Sequence, residues 1–164
     1  MIEAIFIIIK LKILKHVTMD SNFIDLIEDL NLRYFKPYEF WVKGPSNDNP
    51  ESAAFKKNTD PPAELWTNIL PTAKVIDEFR KRIGASVVIT NAYRSPLYNK
   101  AVGGAKQSQH LKFRAVDFVV RGNSTPADWA SVLKAMRTEG LFKGGIGTYS
   151  SFVHVDTRGE NVDW

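Results

Sequence analysis

The sequence of 164 residues contains no cysteine and only three histidines. The missing thiols exclude disulfide bonds, thiolate zinc sites and a cysteine nucleophile. A protein without thiols can work in either redox compartment, so the cysteine content does not indicate where this chain acts.

The sequence also lacks an apolar run long enough to cross a bilayer, because the run at residues 4–9 is too short. A secretory signal would need a basic start and small residues at a cleavage site. Here Glu3 precedes the run, lysines follow it and no such site is present. We therefore expect neither stable membrane insertion nor a clear signal peptide. Residues 1–18 are open to three interpretations: an edge strand, a membrane-touching stretch, or a leader translated from an early start. We favour the third, since a helix is predicted directly after Met19.

Composition places the remaining residues, 19–164, among ordinary globular domains. Hydrophobic residues make up 44% and charged residues 24% of the sequence, and this length can bury a sizeable core as one domain. The net charge of +4 is mild. It fits an anionic partner such as a bacterial wall and does not predict a nucleic-acid interface. We expect a single domain that acts as a monomer.

Hydrophobic spacing and turn residues predict helices first and then strands mixed with helices, which is an α+β pattern. The aromatic stretch 34–41 is interpreted as packing onto the domain in preference to a ligand platform, and the polar residues 43–60 as a loop. Pro71 kinks or restarts the second helix, and Gly84 ends it. The predicted helices cover about 20–32, 61–84, a short stretch ending near 103, and 125–139; the predicted strands cover 86–90, 114–120 and a pair within 144–157.

Two segments carry the candidate chemistry. Residues 108–117 contain His110 and Asp117, and residues 152–156 contain His154. Two imidazoles and a carboxylate suit a catalytic zinc, which takes three protein ligands and leaves the fourth position to water. A histidine on a half-apolar strand is more often a hydrogen-bonded core or surface residue. A carboxylate on an apolar strand, however, is costly unless it is paired or binds a metal. The residues alone leave both interpretations open.

Three motifs in this order resemble the zinc peptidases of the D-Ala-D-Ala carboxypeptidase type, a group that includes VanX-like dipeptidases and many phage endolysins. A strand leads to Tyr-Arg-Ser at 93–95, a Ser-x-His segment reaches its aspartate over 108–117, and Gly-Ile-Gly at 145–147 leads to the last histidine. The resemblance covers roughly residues 34–158. It implies an α+β fold of the hedgehog and D-Ala-D-Ala-peptidase type, in which a small antiparallel sheet carries the zinc site and helices flank it.

The resemblance also implies roles for the matching residues. His110, Asp117 and His154 would bind Zn²⁺, which lowers the pKa of its water to about 7 and polarises the scissile carbonyl. Arg94 would contact the substrate and the developing oxyanion, which suits a guanidinium with a permanent charge and fixed donors. Ser108 would orient the loop or the substrate, with a plain cap hydroxyl as the alternative. The implied substrates are peptidoglycan stem peptides, cut by a carboxypeptidase or an endolysin-type endopeptidase.

Two departures from the family pattern bear on catalysis. Phe113 stands where relatives usually have glycine, so either the loop is reshaped there or Phe113 packs beside the site. Many relatives carry an acid three positions before the last histidine, and others a histidine two positions before it; this chain has Ser151 and Phe152 there. The nearest carboxylate is Asp156, which strand alternation places on the same face as that histidine. Asp156 is predicted as the general base, with orientation of the histidine and pairing with Arg158 as alternatives.

Three functions are compatible with these observations. The first is a zinc peptidase that acts on the cell wall, in the periplasm or envelope, and is encoded by a bacterium or a phage. The second is a weak or inactive zinc-containing module that binds the wall or belongs to a phage structure, which the missing acid at position 151 favours. The third is a metal-free interaction domain that uses the aromatic stretch 34–41 as its contact surface. The resemblance favours the first function.

Overall fold

The computed structural model describes residues 19–164, and the interpretations of residues 1–18 lie outside the described residues. In this part of the chain, α-helices are interspersed with the strands of a single sheet. Short 3-10 helices are found at Pro37–Phe40, Ala63–Ile69 and Gln109–Lys112. The α-helices are α1 (Ser21–Glu28), α2 (Pro45–Asp48), α3 (Leu70–Ile83), α4 (Pro96–Ala101) and α5 (Pro126–Thr138). The strands are β1 (Val87–Asn91), β2 (Ala115–Val120), β3 (Gly145–Thr148), β4 (Val153–Asp156) and β5 (Val162–Asp163).

The first helix begins where the sequence predicts and ends earlier. The Asp20 carboxylate accepts a hydrogen bond from the backbone N–H of Asn22 at 2.9 Å and thereby caps α1. The helix ends at Glu28 instead of near residue 32. The reason is that Asn31 adopts a left-handed conformation with a φ of 51°, which asparagine tolerates better than most residues.

The other long helices start and stop at the predicted residues. Ala63–Ile69 forms a 3-10 helix, and Pro71 lies in the first turn of α3, where its missing N–H costs no hydrogen bond. Gly84 ends α3 with a φ of 64°. Thr125 and Asp128 form a reciprocal capping box at the start of α5. The predicted restart, stop and capping box are confirmed.

The strands form one sheet in the order β1-β2-β4-β3-β5. Its pairs are antiparallel except for the parallel pair of β3 and β5, and β5 has no counterpart among the predicted strands. The register places Asn91, Asp117, His154 and Gly147 in one row across four strands. Directly opposed residues point to the same face of a sheet, so this row brings polar groups of distant segments together.

A β-bulge in β1 adds Asn91 to this row. Ile89 pairs with Phe118, and Asn91 pairs with Asp117, so Thr90 is an extra residue between the two pairs. Such a bulge changes the face to which the following side chain points. Ile89 therefore packs in the hydrophobic core, whereas Asn91 lies beside Asp117 on the opposite face.

The face of the sheet opposite this row is apolar and covered by helices. The Phe118 ring lies 4.9 Å from the Phe79 ring of α3 and 6.2 Å from the Trp129 ring of α5, measured between centroids. The side chains of this face are fully buried: Val116, Phe118, Ile146, Val153 and Val155. The predicted α+β class is confirmed. None of the helices within residues 19–164 is both long enough and apolar enough to cross a membrane.

The two phenylalanines and the tryptophan of the aromatic stretch 34–41 pack onto the domain, as predicted, whereas Tyr34 and Tyr38 are exposed. Phe35 and Phe40 are buried, and the Trp41 ring lies 4.5 Å from the Phe23 ring of α1. This packing joins the N-terminal helix to the remainder of the described structure.

Candidate metal centre

Three segments bring His110, Asp117 and His154 together. His110 lies in the 3-10 helix before β2, Asp117 lies on β2, and His154 lies opposite Asp117 on β4. Nε2 of His110 is 3.0 Å from Oδ1 of Asp117, Nδ1 of His154 is 2.9 Å from the same oxygen, and the two nitrogens are 3.1 Å apart. All three side chains are buried. They form a compact group that could hold a metal ion.

The other hydrogen bonds of the two imidazoles assign their protons. Nδ1 of His110 lies 2.6 Å from the carbonyl oxygen of Ala92, which can only accept, so Nδ1 carries the proton and Nε2 offers a lone pair. Nε2 of His154 lies 2.9 Å from Oδ2 of Asp156, so Nε2 carries the proton and Nδ1 offers a lone pair. Three lone-pair atoms therefore face one another, an arrangement that needs a cation or a proton between them. Two nitrogens and one carboxylate oxygen fit a divalent metal.

Protons compete with a metal for these groups. Burial lowers the pKa of His110, which favours the neutral ligand form. Burial acts to raise the pKa of Asp117, but the charges and hydrogen bonds of His110 and His154 outweigh it and hold the pKa well below its usual range. Burial also disfavours a charged His154, yet its hydrogen bonds to Asp117 and Asp156 raise its pKa above the ordinary value. A metal and a proton therefore compete for the lone pair on Nδ1 of His154.

Asp156 lies behind His154 and is completely buried. The Arg158 guanidinium donates to both of its oxygens, from Nε to Oδ1 at 2.9 Å and from Nη2 to Oδ2 at 2.6 Å. The N–H of Gly145 donates to Oδ1 at 3.1 Å, and Nε2 of His154 donates to Oδ2. Burial acts to raise the pKa of Asp156, but these hydrogen bonds hold it below its usual range.

These contacts match two of the three predicted roles of Asp156. A carboxylate that accepts the outer N–H of a ligand histidine fixes the tautomer and orientation of the ring, and the pairing with Arg158 is also present. Asp156 is not among the side chains that line the cavity in front of the ligands. Its assignment as the general base stays a prediction.

Arg94 reaches the ligand group from the loop after β1. Its Nη2 donates to Oδ2 of Asp117, and its buried Nε has no hydrogen-bond partner among the described residues. The amide of Asn58 fixes this loop, because it donates to the Tyr93 carbonyl at 2.9 Å and accepts from the Ser95 N–H at 2.8 Å. The predicted polar loop around Asn58 is thus tied to the site. Contact of Arg94 with a substrate stays a prediction.

Ser108 and Phe113 flank His110. Ser108 is the N-cap of the 3-10 helix, where its Oγ accepts from the N–H of His110 at 3.4 Å, and it also lines the cavity. Phe113 has a φ of 51°, in the region that glycine adopts most easily. Its fully buried ring lies 6.0 Å from that of Phe23 and 6.1 Å from that of Tyr93. Phe113 thus takes up a glycine-like turn and offsets the strain by aromatic packing. Contact of Ser108 with a substrate stays a prediction.

A cavity of about 600 Å³, here called the metal cavity, opens in front of the three ligands. Trp164 forms part of its wall, with its ring centroid 5.2 Å from that of His154 and its indole N–H donating to the Tyr149 hydroxyl at 2.8 Å. Neither aromatic residue was predicted to belong to the site. The glycine at position 147 could have indicated a large neighbouring side chain, because a Cβ at this position would lie 2.6 Å from the Trp164 indole. A glycine on the face of the ligands leaves space that a large side chain fills.

The family model described as Peptidase M15 matches residues 42–156, which include all of the predicted site residues. No curated protein matches the chain. The match extends over well more than half of the sequence and confirms the resemblance to the zinc D-Ala-D-Ala carboxypeptidase-like peptidases. The chain therefore belongs to the peptidase M15 family of metallopeptidases.

Proposed function

We propose that the protein is a zinc-dependent peptidase that hydrolyses amide bonds in peptidoglycan stem peptides, as a carboxypeptidase or an endolysin-type endopeptidase. The observation that carries this proposal is the convergence of three lone-pair atoms at a cavity wall in a member of a metallopeptidase family. The proposed place of action is the cell wall, in the periplasm or envelope. The proposed working form is a monomer with no nucleic-acid partner.

His110, Asp117 and His154 would hold the zinc ion. Two imidazole nitrogens and one carboxylate oxygen are a ligand set that catalytic zinc uses in other peptidases. When bound, zinc lowers the pKa of a water molecule to about 7 and polarises the scissile carbonyl. Asp156 keeps the proton of His154 on Nε2 and so leaves Nδ1 free to act as a ligand.

Arg94 would stabilise the negative charge that develops on the carbonyl oxygen of the substrate. It lines the metal cavity, and its pairing with Asp117 holds the guanidinium beside the ligands. Its buried Nε is a donor without a partner among residues 19–164. A guanidinium stays charged at neutral pH and presents its donors in a fixed plane, so it can stabilise an oxyanion with little reorganisation. Ser108, at the wall of the same cavity, would contact the substrate peptide.

A second candidate function is a zinc-containing module that binds the cell wall without cutting it. The observation in its favour is that, among the described residues, Asp117 is the one carboxylate that lines the metal cavity. A ligand carboxylate is engaged by the metal, and general-base catalysis needs a free group within hydrogen-bond reach of the water. Full zinc content with unchanged muropeptides after prolonged incubation would select this function, and amide cleavage would exclude it.

Metal analysis and digestion of purified peptidoglycan test the proposal. The wild-type protein is expected to bind about one zinc ion per chain and to release new amino groups from the stem peptides. His110→Ala is expected to lose both properties. His16→Ala is the control, since it removes the remaining histidine of the sequence, which lies outside residues 42–156 that the family model matches. A wild-type protein that takes up no zinc, or cleavage that persists in His110→Ala, would contradict the proposal.

A further inference from the structure

A second cavity lies next to the metal cavity, on the other side of Arg94. Its volume is about 490 Å³, and it shares Arg94, Val102, Asp117 and Phe152 with the metal cavity. The two cavities therefore lie side by side and are together called the cleft, with Asp117 in both linings. Each volume lies in the range typical of ligand sites, so the cleft has room for substrate on both sides of the ligand group.

Asn91 supplies a polar anchor in the second cavity. The bulge in β1 places it beside Asp117, and its side chain lines this cavity with only 6% of the residue exposed. Asn91 places a polar residue at the wall next to Asp117, which suits the polar backbone of a peptide substrate.

The charges of the cleft favour an internal bond over the end of a chain. Arg94 is paired with the carboxylate of Asp117, and Arg158 is paired with that of Asp156. Within residues 19–164, no other arginine or lysine lines either cavity. Recognition of a terminal carboxylate relies on charge-assisted hydrogen bonds from a cation. Arg158 is engaged by both oxygens of Asp156, and Arg94 is assigned to the oxyanion, so neither cation is left for a terminal carboxylate.

We infer that the cleft binds peptide on both sides of the scissile bond, so that the protein is an endopeptidase; this inference rests on the proposed function. One side of the substrate lies in the metal cavity along Trp164. The other side lies in the second cavity, along the wall that Asn91 and Ser151 help to form. Hydrolysis breaks an internal C–N bond, adds the hydroxyl of water to the carbonyl carbon and leaves its hydrogen on the released amine.

Purified muropeptides test this inference. The substrates are an uncross-linked pentapeptide monomer and a cross-linked dimer, and mass spectrometry identifies the products. The expected kcat/KM for internal cleavage is at least about tenfold higher than that for release of a single terminal residue. Preferential release of the terminal residue would overturn the inference and leave the proposed function intact. Failure of the zinc-loaded protein to cleave either substrate would overturn both.

Two adjacent serines provide a matched pair of variants. Ser151 lines the second cavity and Ser150 does not, although both are exposed. Ser151→Trp should fill this cavity and lower kcat/KM for internal cleavage about tenfold or more, with unchanged zinc content and melting temperature. Ser150→Trp, an exposed substitution of equal size, should stay close to the wild type. Equal kcat/KM for the two variants would show that substrate does not enter the second cavity.

A binding experiment gives a readout that does not depend on turnover. The side-chain amide signal of Asn91 is followed by NMR while a tripeptide stem fragment is added to the protein. A shift is expected in the wild type and in Ser150→Trp, and a much smaller shift in Ser151→Trp. A fragment that shifts signals of the metal cavity in all three proteins but never that of Asn91 would overturn the inference.

Discussion

The two faces of the sheet differ in chemistry although the same strands build both. On β4, Val153 and Val155 point into the helix-covered core, whereas His154 and Asp156 belong to the opposite, polar face. Every residue of this strand is buried, so polarity and not exposure separates the faces. Because successive side chains alternate, a short strand can hold the core together and position a metal ligand at once.

The faces also differ in the size of their side chains on β3. Ile146 fills the core, while Gly145 and Gly147 leave space on the polar face. A Cβ at Gly145 would lie 2.6 Å from Oδ2 of Asp156, and one at Gly147 would lie 2.6 Å from the Trp164 indole. The polar face thus depends on small residues next to the histidine, and the apolar face on large ones.

The largest effect on activity is expected from Asp117→Asn, which changes a metal ligand on the polar face of β2. The amide keeps the shape of the side chain but removes its negative charge, and the metal loses a charged ligand. We expect peptidase activity to fall at least about 10³-fold together with the zinc content, measured by muropeptide analysis and metal analysis. A variant that keeps full zinc and full activity would contradict the ligand assignment.

Phe118→Ala, at the next position of the same strand, should lower the stability of the fold and leave zinc binding intact. Phe118 is fully buried against Phe79, and loss of such a ring costs about 3–5 kcal/mol of unfolding free energy. Urea denaturation measures this loss, and a zinc titration of the folded variant should give an affinity close to that of the wild type. A large loss of zinc affinity in folded Phe118→Ala would show that the two faces are not independent.

Asp156→Asn distinguishes the roles of the buried carboxylate within the polar face. We expect a loss of about 10–100-fold in zinc affinity, because Asp156 orients a ligand histidine, and recovery of activity at saturating zinc. Arg158→Gln is the companion variant, since it removes the guanidinium partner of Asp156 and leaves the histidine contact in place. Its loss of zinc affinity should be smaller. Activity that stays low at saturating zinc would instead support Asp156 as the general base.

Gly147→Ala should have the smallest effect. The added methyl group meets the Trp164 indole, so the ring has to shift away from His154. We expect KM to rise a few fold with unchanged zinc content, because the ring forms part of the cavity wall. Thr148→Ala, at the exposed neighbouring position, should leave KM unchanged. An equal KM for both variants would show that the substrate does not contact Trp164.

Local patterns predicted much of this fold and the candidate ligands. The cap at Asp20, the restart at Pro71 and the stop at Gly84 were predictable because each depends on a single residue and its backbone. The early end of α1 was not, since the pattern of apolar residues continues past Asn31. The strand β5 was not predicted either, because a strand this short has little periodicity of its own.

By itself, the sequence determined which side chains share a face, because the direction of a side chain in a strand is a local property. His154 and Asp156 are therefore placed on one face without any knowledge of the fold. Only the tertiary structure decided that Asp156 is enclosed by Arg158 and the N–H of Gly145, and that Trp164 lies beside the ligand histidine. These contacts depend on how separate strands are aligned, and no pattern within a single segment encodes that alignment.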